Sequence, residues 1–380
     1  MSCSPGQPPF AEGLSEAELG LWSTSIQRWL AAVLKDGAED AWGPERWREV
    51  SHQANELGLW PDPLHMSASE GWRQHGLPLV AEACAGLAWG VHRIGLGRWL
   101  AAQAGGAMSA SSVAVYAGAG CWGLAPEALA PWWCGRALDA EQRELLRGWA
   151  ALPGSDWTLL LPSHWTHLVR ATLNEAGGRD LCWQWRILSR ECADARIVAD
   201  GLGLAPLQRW SVRAQASDWQ PMVLSAPRAE ALWRSAFLAD QRGAMLVAGH
   251  SVVKAEQAAT LHATTRWQGG ALLREHAGVQ VRLGQMQSAL RDIGSRLTAW
   301  PCQPADGDLP NLLLDRLDLH DRCLALSDEA LQLMGAAGYL RDTTVARAWR
   351  DQRILRQLAG GVADVHRMVA LCRAASEGAA

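Results

Sequence analysis

Apolar residues recur at helical spacing toward both ends of this chain and at strand spacing between them. Leu19, Trp22, Ile26 and Leu30 fall on one face, and Ala31, Ala32 and Leu34 extend the stripe. Ser15 followed by Glu18 has the spacing of a capping box at its start. Trp47 to Leu59 repeats the helical period, and Leu77 to Leu87 and Val91 to Ala102 read as two further apolar helices, ended by Gly105 and Gly106. Beyond Ser109 the period shortens. Val113 and Val115, Trp157 to Leu161, His167 to Thr172, Leu181 to Leu188 and Gln220 to Leu224 predict strands, with a helix inserted over Glu141 to Ala151. From about Arg228 helices return: Glu230 to His262, Val279 to Trp300, Leu312 to Gly335, Val345 to Leu358 and Val362 to Arg373. The pattern predicts an α+β protein, with an N-terminal α-helical domain over 1–108, a middle β domain over 109–227 and a C-terminal four-helix bundle over 228–380.

Composition narrows the function. A formal net charge of -4 over 380 residues offers no general attraction to nucleic acid or to an anionic membrane. The run from Leu77 to Met108 is interrupted by Glu82, His92, Arg93 and Arg98, so it predicts buried helices and not a membrane span. The start, MSCSPGQPPFAEG, lacks the basic and apolar regions of a secretory signal, and nine scattered cysteines without a C-x-x-C pair predict reduced thiols in the cytoplasm. Eleven histidines form no metal-ligand spacing, so no metal site is expected. The 22 tryptophans beside 2 Tyr and 2 Phe are spread along the chain, which favours core positions over a ligand-stacking strip.

The densest motif is Ala330 to Asp351, ALQLMGAAGYLRDTTVARAWRD, which joins two helices through a glycine corner. Gln332, Gly335 and Gly338 resemble the Q-x-x-G-G-x-G element of the acyl-CoA dehydrogenase family. Arg266-Trp267-Gln268-Gly269-Gly270 resembles its R-x-Q-F-G, and Gln280 in HAGVQ resembles its HQAVQ. The helices–strands–helices order also resembles that family's layout. The resemblance implies FAD, held at its diphosphate and adenine end across a subunit interface by Arg266, Gln268, Gln332, Gly335 and Gly338, hence a homodimer or homotetramer. Arginine presents a planar fork to phosphate oxygens, and glutamine both donates and accepts at an adenine edge. It also implies oxidation of an acyl-CoA or other acyl thioester in fatty acid metabolism, with electrons passing to an electron-transfer flavoprotein.

The chain departs from the family where the chemistry is done. After R-D-x-R-I-L the family carries E-G-T, whose glutamate takes the α proton; here that position is Ala359 or Gly360, and neither accepts a proton. Some members place the base on the first long C-terminal helix, and counting back from Arg266 leads to Asp240, which reads either as a catalytic base or as an exposed helix residue. Asp364 matches the family's Gln or Glu contact to the cofactor. Of the T-E-P-x-A-G-S-D segment only Gly154-Ser155-Asp156 has a counterpart. Two readings follow: an FAD-dependent oxidoreductase acting on the CH–CH group of an acyl thioester, or a catalytically impaired partner subunit of a hetero-oligomer that completes a neighbour's FAD site. A third, nicotinamide binding through G-x-G-x-x-G at Gly118 to Gly123, is disfavoured because Pro126 and Pro131 interrupt the helix that should follow.

Overall fold

Ser15 caps helix α1 (Glu16–Val33) as its spacing predicts: the Glu18 amide donates to Ser15 Oγ, and Glu18 Oε2 accepts from the Ser15 amide at 2.8 Å. The structure, a computed structural model, describes residues 15–35, 42–57, 59, 75–103, 112–118, 124–151, 157–176, 180–200, 203–301, 304–358 and 360–377. Helix α2 (Pro44–Glu56) follows, then α3 (Leu77–Ala83) and α4 (Ala85–Gln103). The two apolar runs near Leu77 and Val91 divide differently from the expectation. The break falls at Cys84, whose extended backbone (φ -159°) ends α3, and α4 then continues through Leu87 to Gln103. Helix α4 is buried on nearly every face, which explains its weak periodicity. Among the described residues no helix is long and apolar enough to cross a membrane.

The middle of the chain forms two sheets. Strands β1 (Ala114–Tyr116), β3 (His167–Ala176), β4 (Asp180–Ser189) and β7 (Trp219–Pro221) make one, in the order β1-β3-β4-β7, with β1 parallel to β3. Strands β2 (Trp157–Leu161), β6 (Gln208–Arg213) and β5 (Asp194–Asp200) make the second, all antiparallel. β5 and β6 are both absent from the hydrophobic pattern, and for β5 the physical reason is local. β5 is an edge strand with a register shift between Ile197 and Ala199, and Ile197 and Val198 are both half-exposed, so inside–outside alternation is lost. Two helices lie between β1 and β2: α5 (Pro126–Trp133) and α6 (Ala140–Ala150). α5 escaped the sequence reading because of its prolines, yet Pro126 opens it, where the missing N–H has no helical partner to lose.

Helices α7 (Ala226–Ser251) and α8 (Val253–Thr265) replace the single rod expected over Glu230 to His262. At the break the Ala248 carbonyl accepts from Ser251 Oγ at 2.9 Å and from Gln352 Nε2 at 3.0 Å, while the Val252 amide turns to the His250 carbonyl. Side chains thus replace one rung of the helical ladder. A hairpin of β8 (Trp267–Gln268) and β9 (Ala271–Leu272) leads to α9 (Ala277–Thr298), α10 (Leu309–Met334), a 3-10 turn at Gly335–Tyr339, α11 (Thr344–Leu355) and α12 (Val362–Glu377). Helix α10 runs through the centre of this bundle and packs on α7, α8, α9, α11 and α12.

Indole rings fill the seam between sheet and bundle. Trp183 of β4 stacks on Trp233 of α7 with centroids 4.1 Å apart, and Trp132, Trp149 and Phe237 close around Trp233. Trp47, Trp165, Trp185 and Trp219 are also fully buried, so these tryptophans are core residues.

His164 sits in this core with its Nε2 2.8 Å from Ser51 Oγ and its ring stacked on Trp47. Burial, with Arg48 nearby adding repulsion, lowers its pKa to about 4. The fold therefore favours the neutral ring, and the unfolded chain takes up a proton near pH 6.5. The sign is that of a depressed histidine. Its contribution is present above about pH 6.5 and is lost as pH falls toward 4, roughly 3 kcal/mol in all. Urea unfolding between pH 7 and 4.5 should show this slope, and His164→Gln should flatten it; an identical slope in the variant would assign the proton uptake elsewhere.

Candidate active site

A group of buried charged residues gathers around the middle of α7. Asp240 of α7 is only 7% exposed, which corrects the exposed-helix alternative for this residue. Both its oxygens accept from one donor, Arg93 Nη1 of α4, at 2.7 and 2.6 Å. The Arg93 guanidinium lies over the rings of Trp89 (5.3 Å) and Tyr116 (5.0 Å), which desolvate it and supply cation–π attraction. His92 approaches Asp240 Oδ1 at 3.8 Å. It does so because Gly243 faces it: a Cβ there would stand 2.2 Å from His92 Nε2. Tyr116 of β1 is fully buried, and burial, reinforced by the Asp240 charge, pushes its phenol well above its ordinary range, so it stays protonated.

Arg316 of α10 belongs to the same electrostatic cluster. It is 0% exposed, and its Nη2 donates to the Gly360 carbonyl at 3.4 Å. Burial lowers its pKa to about 10, while Asp240 acts in the opposite sense. Arg316 therefore links Asp240, the candidate base, to Gly360, at the corner where the usual glutamate is missing. Ala359 itself, Gly154-Ser155-Asp156 and most of the G-x-G-x-x-G run lie outside the described residues. Of that run Gly118 is described, and its carbonyl accepts from Arg170 Nη1 at 3.2 Å.

The nucleotide-end candidates lie at another end of the bundle. A small second core of Ala255, Ala259, Ala263, Met286, Ala330, Leu331, Leu333, Val345 and Ala348 holds the ends of α8 and α10 against α9 and α11. Just beyond it, Arg266 ends α8 with its side chain exposed, and Gln268 follows in β8, its carbonyl 2.9 Å from His276 Nε2. Gln332 is exposed and donates to Tyr339 Oη at 3.0 Å. Gly335 ends α10 at φ +58°, and Gly338 allows the turn to close, because a Cβ there would meet the Leu331 carbonyl at 2.8 Å. Leu261, Trp267, Val281, Tyr339 and Leu340 are all more than half exposed on these same elements. Part of the Ala330–Asp351 signature is structural. Asp351 is buried, and its carboxylate accepts from the Leu204 amide at 2.5 Å, tying α11 to the loop between β5 and β6.

Asp364 stands apart from Arg266 and Gln332. Its Oδ2 accepts from the Leu124 amide at 3.1 Å, and it lines an open groove of about 720 Å³ with Leu124, Glu127, Trp149 and Arg367. Sequence reading missed Arg93, Tyr116, Arg316 and His320. A signal did exist for the last two. They sit at i and i+4 within the apolar stripe of α10, among Leu312, Leu313, Leu317, Leu319 and Cys323, where charged residues are out of pattern. Among the described residues no group of His, Cys, Asp or Glu is arranged to hold a metal ion.

Helices flanking a pair of sheets give this chain the fold of the acyl-CoA dehydrogenases. Butyryl-CoA dehydrogenase from Megasphaera elsdenii superposes with a TM-score of 0.66 at 12% identity, over 94% of this chain and 98% of that one. The prolyl acyl carrier protein oxidase AnaB gives 0.67 at 11%, over 94% and 99%. Residues 233–374 match the family model described as acyl-CoA dehydrogenase, C-terminal domain. Over 136 residues the chain is 29% identical to 3-sulfinopropanoyl-CoA desulfinase of Paraburkholderia xenovorans; the match spans 35% of this chain and 34% of that relative.

Proposed function

We propose that this protein is an FAD-dependent oxidoreductase of acyl-CoA dehydrogenase type, acting on the CH–CH group of an acyl thioester with Asp240 as the base. The observation that carries this reading is that Asp240, the one residue the resemblance leaves as a base, is buried among charged groups with Arg316, which also reaches the Gly360 corner where the usual glutamate is missing. The exposed Arg266, Gln268 and Gln332 suit a nucleotide tail held against a second chain, and the apolar residues beside them suit its interface. Arg266 offers an exposed fork for phosphate oxygens, while Gly335 and Gly338 shape the corner. FAD would supply the hydride acceptor. Asp240 would take the α proton after the substrate draws Arg93 away. The curated relative's acyl-CoA substrate agrees with a thioester ligand, and electrons would leave to an electron-transfer flavoprotein.

One observation favours the partner-subunit reading as a second possibility: Arg93 engages both oxygens of Asp240, which leaves neither free for a proton. The purified protein separates the two. Under the first reading it is yellow and acyl-CoA bleaches it. Asp240→Asn should then keep the colour and lose the bleaching, and Arg266→Ala should release FAD more readily. A colourless protein that gains flavin only with a second gene product would favour the partner reading; unchanged bleaching in Asp240→Asn would remove Asp240 as the base.

A further inference from the structure

We propose that Arg316 and His320 form an anion subsite, and that the acyl group handled here carries a second acid group close to its reacting carbons. This rests on the acyl-thioester reading above and specifies its substrate class.

Arg316 is fully buried, yet its Nε and Nη1 have no hydrogen-bond partner among the described residues, and its one contact, to the Gly360 carbonyl, is long at 3.4 Å. His320, one turn further along α10 and 1% exposed, has no partner on either ring nitrogen among the described residues. Buried donors left idle are costly, and a buried guanidinium costs most of all, so neither residue is explained by stability. The local charges do not balance either. Asp240 is the carboxylate that acts on Arg316, and both its oxygens are already taken by Arg93. Arg356, the other cation acting on Arg316, has its own partner in Asp321 at 2.6 Å. One positive charge is left over in a dry site. Burial and the neighbouring Arg316 and Arg356 keep His320 neutral, so it supplies a single N–H.

A small oxyanion satisfies all of these groups at once. A carboxylate or sulfinate matches the guanidinium fork, accepts from His320 and cancels the surplus charge. An alkyl chain would leave the donors idle, and a metal cation would be repelled. The place sets the length of the ligand. Arg316 reaches the Gly360 carbonyl, at the corner where the family resemblance puts the proton-abstracting group, so the acid must lie within a few bonds of the reacting carbons.

Succinyl-CoA and butyryl-CoA, equal in acyl carbon number, test this by calorimetric titration of the protein as isolated. Wild type should bind succinyl-CoA about 10-fold or more tightly than butyryl-CoA. Arg316→Gln should abolish the preference by weakening succinyl-CoA binding about 10-fold or more. Equal affinities in wild type, or a preference that survives Arg316→Gln, would overturn the proposal. If neither thioester binds, the acyl-thioester reading fails, and sodium succinate alone decides the subsite. A rise in wild-type melting temperature that is missing in Arg316→Gln supports an anion site for a free acid; no rise overturns it. Should Arg316→Gln not fold, Arg316→Lys keeps the charge and loses the fork. It should weaken the preference, and an undiminished preference would count against the site.

Discussion

Trp233→Ala is expected to destabilise the protein by about 3–5 kcal/mol, the range for removing a large aromatic side chain from a packed core. Trp233 is 0% exposed and lies at the seam where α5, α6, α7 and β4 meet. It stacks on Trp183 at 4.1 Å and on Phe237 at 5.3 Å, and it meets Trp132, Trp133 and Trp149 edge-on. Five rings therefore lose a partner at once, and large planar rings held by packed helices and a strand cannot collapse into the void. Trp233→Phe preserves part of the stacking and should cost clearly less. Urea unfolding followed by tryptophan fluorescence and by circular dichroism measures both variants. A loss below 1 kcal/mol for Trp233→Ala would mean that the seam contributes little to the stability of the fold.

Arg93→Met is expected to cost about 3–5 kcal/mol, because it strands a buried carboxylate. The side chains of Arg93 and Asp240 are 16% and 10% exposed, so solvent screens the pair only weakly. The double variant Arg93→Met/Asp240→Leu removes both charges and should recover much of that loss, since well-packed apolar residues often match a buried ion pair in stability. Recovery is the diagnostic result. If the double variant is as unstable as the sum of the single ones, the two side chains act independently and the pair is not a unit.

Sequence pattern reached the broad architecture because helical and strand periods are local. The Ser15 cap, the apolar stripes of α1 and α10, and the glycine corner at Gly335 each depend on neighbours within a few positions. Elements whose pattern is blurred by their surroundings escaped it. β5 is a bulged edge strand, and α5 begins and continues with proline. The division of the long rod into α7 and α8 also escaped, because Gln352, 104 positions from Ala248, replaces a rung of the ladder.

By itself, the sequence determined the succession of helical, β and helical regions and the motif within residues 233–374 that resembles the acyl-CoA dehydrogenase C-terminal domain. It also showed that the usual glutamate is missing. Only the tertiary structure decided that Asp240 is buried and bound to Arg93, that Arg316 reaches the Gly360 carbonyl, and that Arg316 and His320 have nitrogens without a partner among the described residues. Burial and ion pairing relate residues far apart in the chain, 147 positions for Arg93 and Asp240. A side chain's charge is written in the sequence, whereas its solvent exposure and its partner arise only when distant helices pack.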